Sequence, residues 1–202
     1  DEIVKNGYKI YTEMDANSQA NMQQTYENSY LFPTSESDGS TAQSASVALD
    51  PSTGAVRGLV GRVGGTGDTT FRNFNYATQG KRSPGSTIKP LVVYAPALAS
   101  GWSINKELPN TPIDYNGYTP TNYGGIETDD VPMYQALANS YNIPAVYLFN
   151  QIGIQKGISY GQKFGLNFDN VPEELGIALG GGVTASPLQM AQAYATFTNG
   201  GE

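Results

Sequence analysis

Two short apolar segments separated by a tight polar turn are the feature that most limits what this chain can fold into. They lie in "ASVALDPSTGAVRGLVG", residues 45–61, on either side of the turn sequence "DPSTG". Asp, Pro, Ser and Gly are the residues that build such turns, so this stretch predicts a β-hairpin. Because two strands alone make a poor sheet, the hairpin is expected to belong to a larger domain.

Helical patterns follow the hairpin. The predicted helices are "STIKPLVVYAPALASG" ending at Gly101, "PMYQALANS", "PAVYLFNQIG", "GISYGQKFGL", and "SPLQMAQAYATFTNGG" with a Ser186–Gln189 capping box and a stop at Gly200. Earlier in the chain, we predict a strand over residues 7–15, a helix capped by Asp15, and loops over residues 33–44 and 61–75. A hairpin followed by helices predicts an α+β domain.

Composition and charge exclude several classes of protein. Hydrophobic residues make up 39% of the 202 positions and charged residues 14%, which is typical of a folded protein. A net charge of −7 argues against a nucleic-acid partner, which would require a basic surface. No apolar run approaches the roughly 20 residues needed to cross a bilayer, and no signal-peptide pattern is present. We therefore expect any membrane anchor to lie outside this chain.

Histidine and cysteine are both absent from the sequence. Their absence excludes a Ser-His-Asp triad, a Cys-His pair and every zinc site with His or Cys ligands within the chain. We predict neither a metal site nor a cofactor. If nucleophilic catalysis occurs, the base must be Lys, Asp, Glu or Tyr, and a serine paired with a lysine is the leading option.

Ser86 and Lys89 stand three positions apart in "KRSPGSTIKP", at the head of an apolar run. On a helix this spacing places both side chains on one face, so the lysine amine could reach the serine hydroxyl. To act as a base the amine must lose its proton, which requires burial or neighbouring positive charge to lower its pKa. The first turn of a helix also offers backbone N–H groups to a developing oxyanion.

Spacing alone does not identify a catalytic serine. Ser103 and Lys106 in "WSINKEL" have the same S-x-x-K spacing, which chance produces about once in a chain of this length. Ser86 differs because it begins a long helix with an apolar face, whereas Ser103 lies in a short polar segment. A second motif also follows Ser86, namely Ser140-Tyr141-Asn142 at a break between two predicted helices.

The series "STIKP", "SYNIPA" and "TASPLQMAQAYATFTNGG", preceded by "VALDPSTGAVRGLVGR", resembles the class A penicillin-binding transpeptidases over residues 41–201. The implied fold is the penicillin-binding and β-lactamase-like transpeptidase fold: an antiparallel sheet flanked by helices, plus a helical subdomain, present only in part. The resemblance makes Ser86 the nucleophile that attacks a peptidoglycan stem peptide at its D-alanyl-D-alanine end. D-alanine leaves, and an amine from a second stem peptide then takes the acyl group.

The same resemblance implies roles for three further residues. Lys89 would activate Ser86, although the identity of the acylation base is disputed in relatives. Ser140 would relay a proton toward the leaving amine, and Asn142 would hold Lys89 and the substrate amide by hydrogen bonds. A β-lactam such as penicillin mimics the D-alanyl-D-alanine end and would acylate Ser86.

The family's K-T-G motif is not found in this sequence. We therefore expect residues 41–202 to be the N-terminal portion of a transpeptidase domain and residues 1–40 to be a linker after a missing glycosyltransferase domain. A second chain from the same polypeptide is expected to supply the K-T-G strand. The expected location is the outer face of the bacterial cell membrane, anchored by an N-terminal segment absent from this chain.

Other functions remain open at this point. A serine β-lactamase or a D,D-carboxypeptidase would share Ser86 and Lys89 but pass the acyl group to water. Glu173 or Glu174 could be a deacylating carboxylate in a β-lactamase, although paired charges are usually on the surface. A non-catalytic β-lactam sensor domain would be acylated but would not form crosslinks.

Overall fold

The computed structural model describes residues 5–64 and 73–201. The elements are α1 (Ala16–Glu27), a 3₁₀ turn (Ser29–Leu31), β1 (Ser46–Leu49), β2 (Val56–Val60), a 3₁₀ turn (Gly85–Ile88), a π-helical turn (Pro90–Tyr94), α2 (Ala95–Ala99), β3 (Glu107–Leu108), a 3₁₀ turn (Tyr123–Gly125), β4 (Val131–Pro132), α3 (Met133–Ala138), α4 (Asn142–Ile152), α5 (Ile154–Lys163), a 3₁₀ turn (Leu175–Leu179) and α6 (Pro187–Ala195). Helices and small antiparallel sheets are both present, as expected for an α+β domain.

The predicted hairpin is confirmed. Strand β1 pairs antiparallel with β2, with Ser46 opposite Val60 and one irregularity after Ala48. The Asp50 side chain accepts a hydrogen bond from the Ser52 N–H at 3.0 Å, and Gly54 takes a left-handed φ of 73° that glycine adopts without strain. Local turn chemistry therefore determines this element.

The hairpin is covered on two sides by helices. Helix α1 packs on β2, where the Gln19 side chain bonds both the N–H and the carbonyl of Leu59. A Cβ added at Gly58 would lie 2.6 Å from the Met22 sulfur, so glycine permits this close approach. Helix α6 packs on β1.

The stretch from Gly85 to Ala99, here called the central helix, runs through the middle of the helical part. Its pitch changes from 3₁₀ to π to α, whereas the sequence pattern predicts one regular helix from Ser86. Pro90 has no N–H and cannot donate the bond that an α-helix would require there, which accounts for the irregular start. Ile88, Leu91 and Val92 of the central helix are fully buried.

Helices α4 and α5 pack against the central helix. A Cβ added at Gly157 of α5 would lie 2.7 Å from the Val92 carbonyl, so a small residue is required at this crossing. Burying an aliphatic side chain contributes about 1.5–3 kcal/mol relative to exposure, and this apolar packing holds the start of the central helix in place.

The predicted strand over residues 7–15 is wrong. Tyr8, Ile10 and Tyr11 are exposed by 65%, 70% and 90%, and no strand pairs with this segment among the described residues. An alternating pattern forms a strand only where a neighbouring strand bonds its backbone. The predicted cap is confirmed, because the Asp15 side chain accepts a hydrogen bond from the Ser18 N–H at 2.7 Å.

The capping box that begins α6 is also confirmed, with reciprocal bonds between Ser186 and Gln189. The helix ends at Ala195, before the predicted stop at Gly200, and turns follow it. Residues 65–72 of the predicted loop over 61–75 lie outside the described residues. In the described ranges, no helix combines the length and apolar character needed to cross a membrane.

Candidate functional site

Ser86 lies in the 3₁₀ turn that begins the central helix, and its side chain is exposed. The turn is held from both sides. The Ser83 hydroxyl donates to the Gly180 carbonyl at 2.8 Å and accepts from the Gly85 N–H at 3.2 Å. The Tyr194 hydroxyl of α6 donates to the Thr87 carbonyl at 2.7 Å. These bonds present an accessible hydroxyl on a braced backbone.

Gly180 brings a second turn directly against the turn that carries Ser86. It takes a φ of 89°, and an added Cβ would lie 2.7 Å from the Gly85 nitrogen. The sequence alone is compatible with two interpretations of the glycines from Gly180 to Gly182, as a cleft lining or as a simple turn. The structure shows a turn whose close packing requires glycine.

Lys89 is 1% exposed, although its side chain ends in an amine. Its Nζ donates to the Ser140 carbonyl at 2.7 Å, the Tyr141 carbonyl at 3.2 Å and the Asn142 Oδ1 at 2.7 Å. The Ser140 hydroxyl is a fourth acceptor at 3.2 Å. All four oxygens are uncharged, and in the described ranges no carboxylate forms an ion pair with this amine.

Burial without a counter-ion changes the proton affinity of this lysine. Desolvation disfavours the charged form and lowers the pKa of Lys89 to about 8, from an ordinary value of 10.5. The hydrogen bonds show how the charged form is still accommodated, because an ammonium has three donors and three carbonyl-type oxygens accept from it. A neutral amine has only two donors and one lone pair. Deprotonation therefore frees one acceptor and creates a proton acceptor in the site.

Ser140 occupies the break between α3 and α4 in an unusual conformation. Its N–H bonds the Leu137 carbonyl and the Tyr141 N–H bonds the Ala136 carbonyl, both at 3.0 Å. This pair of bonds is the Schellman motif that ends many helices, and its left-handed position is normally glycine. Ser140 adopts that position with a φ of 53°. A residue with a Cβ is strained in this conformation, and such strained positions cluster at functional sites.

Asn142 is the first residue of α4 and fixes the amine from the other side. Its Oδ1 accepts from Lys89, and its Nδ2 donates to the Thr121 carbonyl at 2.8 Å. The second bond sets which way the amide faces. Lys89, Ser140 and Asn142 therefore form one hydrogen-bonded cluster, in which Asn142 holds Lys89 as the resemblance implied.

Ser86 lies one helical turn before Lys89 but is not bonded to it. Among the described residues no hydrogen bond joins the Ser86 hydroxyl to the Lys89 amine, so the direct contact expected from the spacing is not formed here. The reason is that the three N–H donors of Lys89 are directed at the α3–α4 break. The second S-x-x-K pair is unlike the first, since Ser103 and Lys106 are both exposed.

The residues that support the cluster carry no recognisable signal in the sequence. Asn122 and Asn110 are buried and bonded to each other, and Thr121 orients Asn142. An asparagine in a Pro- and Gly-rich segment is typical of an exposed turn, so nothing in the local pattern distinguishes these. Trp102 packs against the core, and Glu173 and Glu174 are exposed.

Comparison with known proteins gives consistent matches. Residues 44–202 match the family model described as the penicillin binding protein transpeptidase domain. Penicillin-binding protein 2a of Streptococcus pneumoniae is 60% identical over all 202 residues, and penicillin-binding protein 1A of Neisseria flavescens is 39% identical over 166 residues, or 79% of the chain. The chain spans 28% and 20% of the lengths of these relatives.

Solved structures show the same fold. Penicillin-binding protein 1A from Haemophilus influenzae aligns with a TM-score of 0.71 and 32% identity, over 80% of this chain and 24% of that one. PonA1 from Mycobacterium tuberculosis, solved with penicillin V, aligns with a TM-score of 0.77 and 25% identity, over 97% of this chain and 53% of that one. The predicted fold class and the resemblance to class A proteins are confirmed. The chain belongs to the penicillin-binding protein transpeptidase family.

Proposed function

We propose that this chain carries the acyl-transfer centre of a peptidoglycan D,D-transpeptidase, with Ser86 as nucleophile. The observation that carries the proposal is the buried Lys89 amine, held by Ser140 and Asn142 one helical turn from an exposed serine. With a pKa of about 8, about a tenth of these amines is neutral at pH 7, which suits a general base.

In the first step, the Ser86 oxygen attacks the carbonyl between the last two D-alanines of a stem peptide. The hydroxyl proton passes to neutral Lys89, and the carbonyl becomes a tetrahedral oxyanion. The C–N bond then breaks, and the departing D-alanine amine takes up a proton through Ser140. Ser86 is left as an ester, which the amine of a second stem peptide attacks to form the crosslink and restore the hydroxyl.

Ser140 and Asn142 are proposed as catalytic partners because of their contacts with Lys89. The Ser140 hydroxyl lies 3.2 Å from the Lys89 amine and can exchange a proton with it. Asn142 holds the amine through its oxygen, and the family resemblance implies that it also contacts a substrate amide. These roles are assigned from geometry and from the family resemblance.

β-Lactam antibiotics are proposed as covalent ligands of Ser86. The related PonA1 was solved in complex with penicillin V, and the exposed serine of this chain lies in the S-x-x-K motif typical of the family. A β-lactamase would also need a group that activates water. Glu173 and Glu174 are exposed, and in the described ranges neither bonds to Ser86 or Lys89, so a long-lived acyl-enzyme is favoured over rapid hydrolysis.

The remaining partners stay predictions. We propose that further residues of the same polypeptide, including a K-T-G strand, extend the sheet beside β1 and β2. Val47, Leu49, Val56 and Leu59 of the hairpin are only half-buried, which leaves apolar surface for such a neighbour. The domain boundary at residues 40–41, the glycosyltransferase domain and the location at the outer face of the cell membrane also stay predictions.

Intact-protein mass spectrometry after incubation with penicillin tests the proposal in the full-length protein. We expect one penicilloyl adduct on the wild type and on Ser103→Ala, and none on Ser86→Ala. The Ser103 variant is the matched control because it carries the same S-x-x-K spacing. Equal labelling of the wild type and Ser86→Ala would refute the assignment, and release of the adduct within seconds would favour a β-lactamase.

A further inference from the structure

A chain of buried amides leads from the loop region to the Lys89 amine. Asn110 is fully buried and Asn122 is 5% exposed. The Asn110 Nδ2 donates to the Thr128 hydroxyl, and the Asn122 Nδ2 donates to the Asn110 Oδ1, both at 2.8 Å. Buried polar side chains are costly unless they are satisfied, so this chain of bonds has a definite geometry.

Asn122 uses its complete hydrogen-bonding capacity. Besides Asn110, its Nδ2 donates to the Ile126 carbonyl at 2.7 Å. Its Oδ1 accepts from the N–H groups of Asn142 at 2.7 Å and Ile143 at 3.1 Å. These N–H groups belong to the first turn of α4, whose own N-cap residue, Tyr141, makes no side-chain cap bond. Asn122 therefore caps α4 from a distant part of the sequence.

Thr121, the residue before Asn122, orients the Asn142 side chain at the start of α4. The Thr121 carbonyl accepts from the Asn142 Nδ2, which turns the Asn142 Oδ1 toward Lys89. The Thr121–Asn122 segment thus holds both the backbone and the amide of Asn142. A shift of this segment would move the oxygen that bonds the amine.

We propose that Asn122 is a positioning residue for the acyl-transfer centre, acting through Asn142 on the Lys89 amine. The expected effect of Asn122 on acylation depends on the proposed function, whereas its expected effect on the Lys89 amine does not. A purely structural role would instead connect the loop to α4 and contribute to folding alone. The two roles differ in whether the effect of removing Asn122 depends on Asn142.

A double-mutant cycle in the full-length protein makes this distinction. Residues of one hydrogen-bond network couple by about 2-fold to 150-fold, and we expect Asn122→Ala to slow acylation by a fluorescent penicillin by about tenfold. The rates are compared at about pH 9, where the Lys89 amine is mostly neutral in both proteins. In an Asn142→Ala background, Asn122→Ala should reduce the acylation rate by a further factor of less than about three, because the Asn142 amide that links Asn122 to the amine is already absent. Leu108→Ala, a buried change in the same region, should lower thermal stability without this coupling. If Asn122→Ala does not fold, Asn110→Ala should show the same coupling at smaller size.

Fully additive losses of acylation rate in the double mutant, or an Asn122→Ala effect no larger than that of Leu108→Ala, would overturn the proposal.

A second readout does not require acylation. The titration of the Lys89 side chain can be followed by NMR in protein with ¹³C-labelled lysine, the signal being assigned by its loss in Lys89→Arg. No carboxylate pairs with this amine in the described ranges, so its hydrogen bonds alone stabilise the ammonium. Weakening the bond to Asn142 therefore disfavours the charged form of Lys89.

We expect the Lys89 pKa to fall in Asn122→Ala and to be unchanged in Leu108→Ala. An unchanged titration in Asn122→Ala would also overturn the inference. If the wild type is not acylated by penicillin, the proposed function fails, while the lysine titration still decides whether Asn122 positions the amine.

Discussion

Ser140 combines a strained backbone with a hydroxyl at the Lys89 amine, and the two properties can be separated by substitution. Ser140→Gly and Ser140→Ala both remove the hydroxyl and its 3.2 Å contact with Lys89. They differ in the backbone, because a φ of 53° suits glycine but strains alanine. The left-handed conformation costs a residue with a Cβ about 1–2 kcal/mol. Part of this is offset by the greater freedom of glycine in the unfolded chain, about 0.4–1 kcal/mol.

These two ranges differ by about 0–1.6 kcal/mol, so we expect Ser140→Gly to be more stable than Ser140→Ala by about 1 kcal/mol. For a domain of this size that difference corresponds to about 2–4 °C in melting temperature, measured by calorimetry. Both variants should lose penicillin acylation equally, by about 10²–10⁴-fold if the hydroxyl transfers a proton. Ser103→Gly and Ser103→Ala are the matched control. Ser103 is not left-handed, so there the alanine variant should be the more stable. An alanine variant at position 140 that equals or exceeds the glycine variant in stability would refute the strain argument.

Two further predictions concern the base. In the proposed mechanism neutral Lys89 is the reactive form, and its pKa is about 8, so the acylation rate constant should rise about tenfold per pH unit well below pH 8 and level off above it. A stopped-flow pH profile that is flat from about pH 6 to 9 would contradict this. Lys89→Arg keeps the charge but cannot release a proton at these pH values, so fluorescent-penicillin labelling should be lost; labelling within a few-fold of the wild type would show that another group removes the proton.

The neutral surroundings of Lys89 agree with its proposed role. A buried amine with four uncharged oxygen partners is stabilised as the ammonium by hydrogen bonds and destabilised by desolvation. An added carboxylate would raise the pKa and keep the amine protonated at neutral pH. The absence of an ion pair among the described residues is therefore consistent with a lysine that must lose a proton.

The sequence by itself determined the elements whose cause is local. The Asp50–Gly54 turn and the Ser186–Gln189 capping box each depend on side chains bonding backbone within a few residues. The helical stretch after Ser86 also follows from the sequence pattern, and its irregular start has a local cause in Pro90 that the pattern alone does not predict. The four candidate residues are selected by motif order, and their catalytic roles stay predictions.

Only the tertiary structure decided which distant groups meet. The segment over residues 7–15 has a strand-like pattern but no partner strand among the described residues, so it is not a strand. Ser140 is left-handed because two helices meet there, and Asn122 is buried because its loop folds over the start of α4. Burial and hydrogen-bond satisfaction depend on contacts between residues far apart in sequence. The proposed chemistry requires a Lys89 with a lowered pKa, and only the folded chain supplies the burial that lowers it.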